Sequence, residues 1–455
     1  MYKDWLGNEV TAASDATVAG IDDFLQGYLG YEVKAVAIFA TADNDADCAI
    51  ANAYAAICNM FLEAPNAPAL ARRYIERAEA AAPKASRRER LATKAVRAWV
   101  DGDIPATIRI SGELAREFPR ELAIAKTCQY HLFNLGDSPG MLRIAKTVYD
   151  ANIDLPYMHG MIAFAYEQCH FLEEAEQSAR HAIALKRKEP WAHHALAHVL
   201  LTQGRIREGV EFLEDVKETW TDLNSFMFTH NWWHLCLYYI SLGAYDEVLS
   251  IYDRHVWGMW KEYSQDQIGA VSLLMRLELV GVDVGDRWRD VGHYLRARAG
   301  DVVQPFLSMQ YLYGLARAGG READALMAAI RDHAAQAPAH VRESWREVAL
   351  PACEGLLAHA RGDYETCVRK LGAASPRLLE TGGSHAQRDL FDQVLLDATI
   401  RSGRLVAAQR MLELRRQWEP HGVPLNTSLA AVYQGLGLTQ EAARAAERAK
   451  LGRLG

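Results

Sequence analysis

Long apolar runs are missing from this sequence. No stretch approaches the ~18 uninterrupted apolar residues of a membrane-spanning helix, so no membrane partner is expected. The start, MYKDWLGNEV, lacks a charged segment followed by an apolar core, so no secretory signal is expected. Proline is scarce, 14 in 455 residues, while alanine is abundant, as in helical chains. The seven cysteines form no C-x-x-C pair and are odd in number. Scattered thiols of that kind read as small buried residues in a reducing, cytoplasmic compartment. An excess of basic charge is also missing: the net charge is -8, which argues against nucleic acid as a partner. Neither a nucleophile elbow, a P-loop nor a dinucleotide fingerprint occurs, and His385 makes no recognisable nucleophile pair with Cys353 or Cys367.

What the chain does have is a period. Tight-turn signals fall at Gly102 (WVDGDI), Gly136 (FNLGDS), His170 (EQCHFL) and Gly204 (LTQGRI), each 34 residues after the one before. Gly243, Gly319, Gly362, Gly403 and Gly437 continue the series less regularly, with 34 residues again between the last two. A helix on each side of such turns resembles the tetratricopeptide repeat, most clearly over 157–190. There, Leu172, Ala175, Ala179 and Ala182 put small or apolar side chains at helical spacing, so two helices can approach closely. A hairpin of this kind cannot bury its apolar face alone, so hairpins stack. The expected fold is therefore all-α, a tetratricopeptide-like α-solenoid with a right-handed superhelical course. It is expected to run as one continuous domain over 1–455. Residues 1–20 read as a lead-in, 21–256 as N-terminal repeats, 257–300 as an irregular helical insert, and 301–455 as C-terminal repeats and a cap.

The densest chemistry lies between Pro190 and His234, which holds five of the sixteen histidines beside Trp191, Trp232 and Trp233. His194/His198 and His230/His234 are two i,i+4 pairs, each on one face of a helix. The repeat geometry that the resemblance implies places a stripe of each first helix on a concave wall. That wall takes in Tyr130, Tyr157, Phe164, Glu167, Trp191, His194, His198, His230, Trp233 and His234. Such a His/Trp/Tyr wall suits a small molecule or a peptide segment. Three readings follow. The first is a binding protein that uses this wall. The second is an enzyme in which His194, His198, His230, His234 and Asp266 act as general acid/base groups, or in which the four histidines ligate a transition metal. The third is a protein–protein scaffold, monomeric or homodimeric, whose histidines are structural. H-E-x-x-H is absent, so no metal is fixed by motif. Arg276 and Glu278 read as ion-pair residues. Arg388 and Asp389 open a helix after two glycines; Asp389 suits the positive helix end, whereas Arg388 opposes it and points to an anion or carboxylate partner.

The chain as a whole resembles the tetratricopeptide repeat protein 38-like family. The matching stretches are SRRERLATKAV (86–96), HHALAHVL (193–200), HNWWHLCLYYISLGAYDEVLSIYD (230–253), LLMRLELVGVDVGDRW (273–288) and GGSHAQRDLFDQVLLDA (382–398). The resemblance implies a helical-repeat fold from end to end and no defined activity. It also implies His194, His198, His230, Asn231, Trp233, His234, Asp266, Arg388 and Asp389 as pattern residues. It often places an Asp and a His where this chain has Ser308 and Gln310.

Overall fold

A computed structural model describes residues 2–454. Helices follow one another from Asp15 to Leu454, and the strands among the described residues are the short antiparallel pair Tyr2–Lys3 and Glu9–Val10. The lead-in is shorter than expected because the Ser14 hydroxyl accepts from Thr17 N and starts the first helix at Asp15.

Each turn singled out by the period is a left-handed residue. φ is 79° at Gly102, 71° at Gly136, 67° at Gly204, 73° at Gly243, 81° at Gly362, 72° at Gly403 and 75° at Gly437. His170 takes the same conformation, φ 60°, with a side chain in place. At three of these turns an aspartate follows the glycine and caps the next helix. Asp103 accepts from Ala106 N at 3.1 Å, Asp137 from Gly140 N at 2.8 Å, and Asp363 from Thr366 N at 3.0 Å. The Gly-Asp dipeptide thus closes one helix and opens the next within two residues. Segment 257–300 forms a further helix pair, Ser264–Leu279 and Arg287–Leu295, joined by a wider turn.

The chain divides into two compact units. Unit 1 comprises Met1–Leu196 and Glu218–Met227; unit 2 comprises Ala197–Lys217 and Phe228–Gly455. In unit 1, Ala175, Ala179 and Ala182 are fully buried where Leu172–Leu185 packs on Pro156–Gln168, the close approach their size allows. Unit 1 also contains a buried ion network. Arg88 donates to Glu121 and to Glu9 O (2.9 Å), and its guanidinium lies 3.9 Å from the Asp4 carboxylate. The Tyr54 hydroxyl donates to Glu121 at 2.8 Å. Glu89 completes a capping box with Ser86 and accepts from Thr11 N and Thr11 Oγ1 at 2.9 and 2.8 Å. Burial pushes the Asp4 carboxyl up to about 6, against the pull of Arg88.

Unit 2 is held by apolar hairpin packing. Gly209 lies flat against the Tyr238 ring, where a Cβ would sit 2.0 Å from a ring carbon. Tyr238 in turn donates its hydroxyl to the Ala197 carbonyl. All seven cysteines are free thiols. Among the described residues, no helix is long and apolar enough to cross a membrane.

Candidate functional site

Two helices carry the histidines, Pro190–Thr202 and Ser225–Leu242. The first starts where the buried Glu189 carboxylate accepts from Ala192 N; burial pushes that carboxyl up to about 7. Along this helix, His193 and His194 have different surroundings. His193 is fixed by the fold: it accepts from Trp220 Nε1 at 3.2 Å and bonds Arg187 O at 2.8 Å. His194, buried, stacks on Trp191 (centroids 4.4 Å, 27°) and lies 5.0 Å from the Phe164 ring. His198 follows one turn later on the same face.

In unit 2, the Tyr238 bond to Ala197 fixes the residue before His198 against the turn that follows His234. His198 and His234 then stand 4.5 Å apart by ring centroid, and His230 and His234 stand 4.8 Å apart. His198, His230 and His234 each offer a ring nitrogen within 4.8 Å of the others'. His198 and His234 are 1 % and 0 % exposed. Burial lowers the His230 imidazole to about 3, helped by neighbouring His198. It is therefore neutral at physiological pH, with a lone pair on one ring nitrogen. Trp233 lies parallel to His230 (5.2 Å, 7°) and edge-on to His234, and its Nε1 donates to Ser272 Oγ at 2.6 Å.

The other expected residues are distributed as follows. Tyr130 donates to Glu63 at 2.7 Å and packs edge-on against Phe61; Tyr157 accepts from Lys186 at 2.8 Å; Glu167 accepts from Gln168. Trp191 also stacks on Tyr31. Asn231 is fully buried. Asp266, in the first turn of Ser264–Leu279, accepts from Thr229 Oγ1 at 3.2 Å and from Trp260 N at 3.1 Å. Asp389 bonds Arg276 (3.4 Å), Arg415 (2.5 Å) and Gln393 (2.6 Å). Arg388 donates to the Gly383 carbonyl and meets the His385 ring at 3.3 Å. Glu278 pairs with Arg317 rather than with Arg276. Ser308 donates to main-chain carbonyls of Asp301 and Gln304. Trp232 stacks on His255 at 4.0 Å, with the Lys217 ammonium over its ring.

A narrow recess with room for about one water molecule adjoins His230. Trp233, Gln265, Ile268, Gly269, Ser272, Gln310 and Gln387 complete its lining. Sequence reasoning did not single out Gln265, Ser272 or Gln387. The available signal was Gln265, Gly269 and Ser272 recurring at helical spacing on a helix otherwise rich in buried apolar residues.

These helices and turns define the class: an all-α protein of tetratricopeptide-like helical hairpins. No protein-family model matches the chain. Among solved structures it is similar to the human IFIT1 dimer with PPP-AAAA, at 12 % identity over 84 % of this chain and 86 % of that one, TM-score 0.41. The human IFIT1 dimer with m7Gppp-AAAA matches at the same identity and score over 97 % and 95 %. The P58(IPK) TPR domain matches at 12 % identity over 80 % and 93 %, TM-score 0.23.

Proposed function

We propose that this chain is a helical-repeat protein of the tetratricopeptide repeat protein 38-like kind that binds a transition-metal ion through buried imidazoles. His198, His230 and His234 supply the ligands. One observation carries the reading: three imidazoles from two helices bring ring nitrogens within 4.8 Å of one another in a buried place. Nitrogens around a tetrahedral ion at ~2.1 Å are about 3.4 Å apart, so the widest pair would close by up to about 1.4 Å on binding. Imidazole suits Zn, Cu, Fe and Ni, and among divalent ions copper binds such a set most strongly. The narrow recess supports a small ligand beside the ion more than a peptide. Seven free thiols fit a reducing compartment.

The test is metal uptake by the purified, tag-free protein. Native mass spectrometry after equilibration with Zn(II), Co(II) or Cu(II) is expected to show one ion per chain, lost on denaturation. The double variant His230→Ala/His234→Ala is expected to keep its helical circular dichroism and to bind none. A folded wild-type chain that takes up no ion at micromolar metal overturns the reading.

A further inference from the structure

We infer that the ion keeps one coordination position for solvent, and that Gln310 orients the single water bound there. The inference rests on the metal reading above and adds to it a ligand and a positioning residue.

The recess beside His230 carries the argument. Beside His230, its polar lining is uncharged: Gln265, Gln310, Gln387 and Ser272 bring amides and a hydroxyl, with no carboxylate, ammonium or guanidinium. It therefore offers an anion no counter-charge of its own and offers a cation no acidic partner, which selects a neutral guest. The reach of a water centre inside it is about that of one water molecule, so larger guests do not fit without rearrangement.

Two of the polar groups, Gln387 and Ser272, have known partners: Gln387 Oε1 accepts from Ser384 N at 2.9 Å. The Ser272 hydroxyl accepts from Trp233 Nε1 and donates to Gly269 O at 3.0 Å. That pair of bonds locks Trp233 parallel to the His230 ring, so this wall of the recess is rigid. Gln310 differs. It is 2 % exposed, and its Oε1 is buried with no hydrogen-bond partner. Buried acceptors are nearly always met by a donor from protein or ordered water. The donor this recess has room for is one water.

His230 lines the recess and also belongs to the histidine set, so a water there stands beside the ion. A water bound to a cation is a stronger donor than free water, because the ion withdraws charge from its O–H bonds. A neutral amide oxygen can accept that bond but cannot take the proton at ordinary pH. Gln310 thus fixes the direction of the water while leaving it protonated. Binding sites of this form, three imidazoles and an exchangeable position, can admit a small exogenous molecule in place of the water.

The experiment uses the full chain loaded with one equivalent of Cu(II), exchanged into water enriched in oxygen-17 and read by pulsed electron–nuclear double resonance. Wild type is expected to show imidazole nitrogen couplings and one exchangeable water oxygen. Gln310→Leu is expected to keep the ion and the nitrogen couplings and to lose the ordered water signal. Gln310→Glu, which retains an acceptor, is expected to recover it. Bound copper with imidazole couplings and no exchangeable water in wild type would overturn the inference and leave the metal reading standing. An unchanged water signal in Gln310→Leu would remove Gln310 from its role. No copper on the folded chain would overturn both. The wild-type measurement decides the coordinated water even where a variant folds poorly.

Discussion

Two buried polar clusters in this chain are built on opposite principles. In unit 1, Arg88, Glu121, Asp4, Tyr54 and Glu89 differ in charge and in hydrogen-bonding role, and the chain itself supplies the answering groups: guanidinium to carboxylate, hydroxyl to carboxylate, main-chain N–H to carboxylate. In unit 2, one kind of group is repeated, and His198, His230 and His234 gather like with like. A heterogeneous cluster closes on itself and its chemistry is spent on the fold. Three imidazoles with ring nitrogens within 4.8 Å of one another form a donor set suited to a single cation. That contrast, and not the number of histidines, favours a ligand at the second cluster.

The sharpest way to break the contrast is to open the first cluster. Glu121→Ala leaves Arg88 buried without its nearest carboxylate, and unfolding stability is expected to fall by about 3–5 kcal/mol in urea titration. A loss below ~1 kcal/mol would mean that the network does not hold unit 1. The second effect is a pH dependence. Asp4 has a folded pKa of about 6 against an ordinary 3.8, raised by burial. Below ~4 it is protonated in both states. Between about 4 and 6 the unfolded chain releases the proton first, so this group's contribution to stability falls as pH rises and levels off above 6. At about 1.4 kcal/mol per unit the change approaches ~3 kcal/mol, and Asp4→Asn should flatten the slope of unfolding free energy over that window.

Third comes the metal. Free Zn(II) at a hundred times its dissociation constant is expected to stabilise wild type by about 2.7 kcal/mol in thermal unfolding, while His230→Ala/His234→Ala shows no response. Equal stabilisation of both would show that the ion binds elsewhere. The smallest effect concerns the bond that positions the two helices. Tyr238→Phe removes a buried hydroxyl donor from the Ala197 carbonyl, with an expected loss of about 1–2 kcal/mol and a weaker Zn(II) affinity at unchanged stoichiometry. Unchanged affinity would mean that the histidines find their places without it.

Much of the local structure was legible in the residues. Gly102, Gly136 and Gly362 announced turns because a left-handed residue is inexpensive for glycine, and the aspartate after each announced the next helix. The two i,i+4 histidine pairs were legible for the same reason: a helix fixes which side chains share its face. Other features were not. Asp266 read as an acid/base candidate beside the histidines, and its bonds to Thr229 and to the Trp260 amide were not legible, because those residues lie 37 and 6 positions away in sequence. His193 and His194 are neighbours in sequence, and only the structure separates a histidine held by Trp220 and Arg187 from one stacked on Trp191. Gln310 lies in a helix whose spacing gives no sign of the recess it lines.

By itself the sequence determined the helices, their turns and the faces they present, because these depend on interactions within a few residues of one another: a cap, a left-handed glycine, a 3.6-residue period. Which faces meet was decided by tertiary structure. The approach of His198 to His234, the lock of Trp233 on Ser272 and the recess beside His230 depend on residues tens of positions apart that pack together, Gly209 beneath Tyr238 among them. Packing of that kind is set by the shapes of whole side chains across a hairpin, and the linear pattern of apolar and polar residues does not encode it.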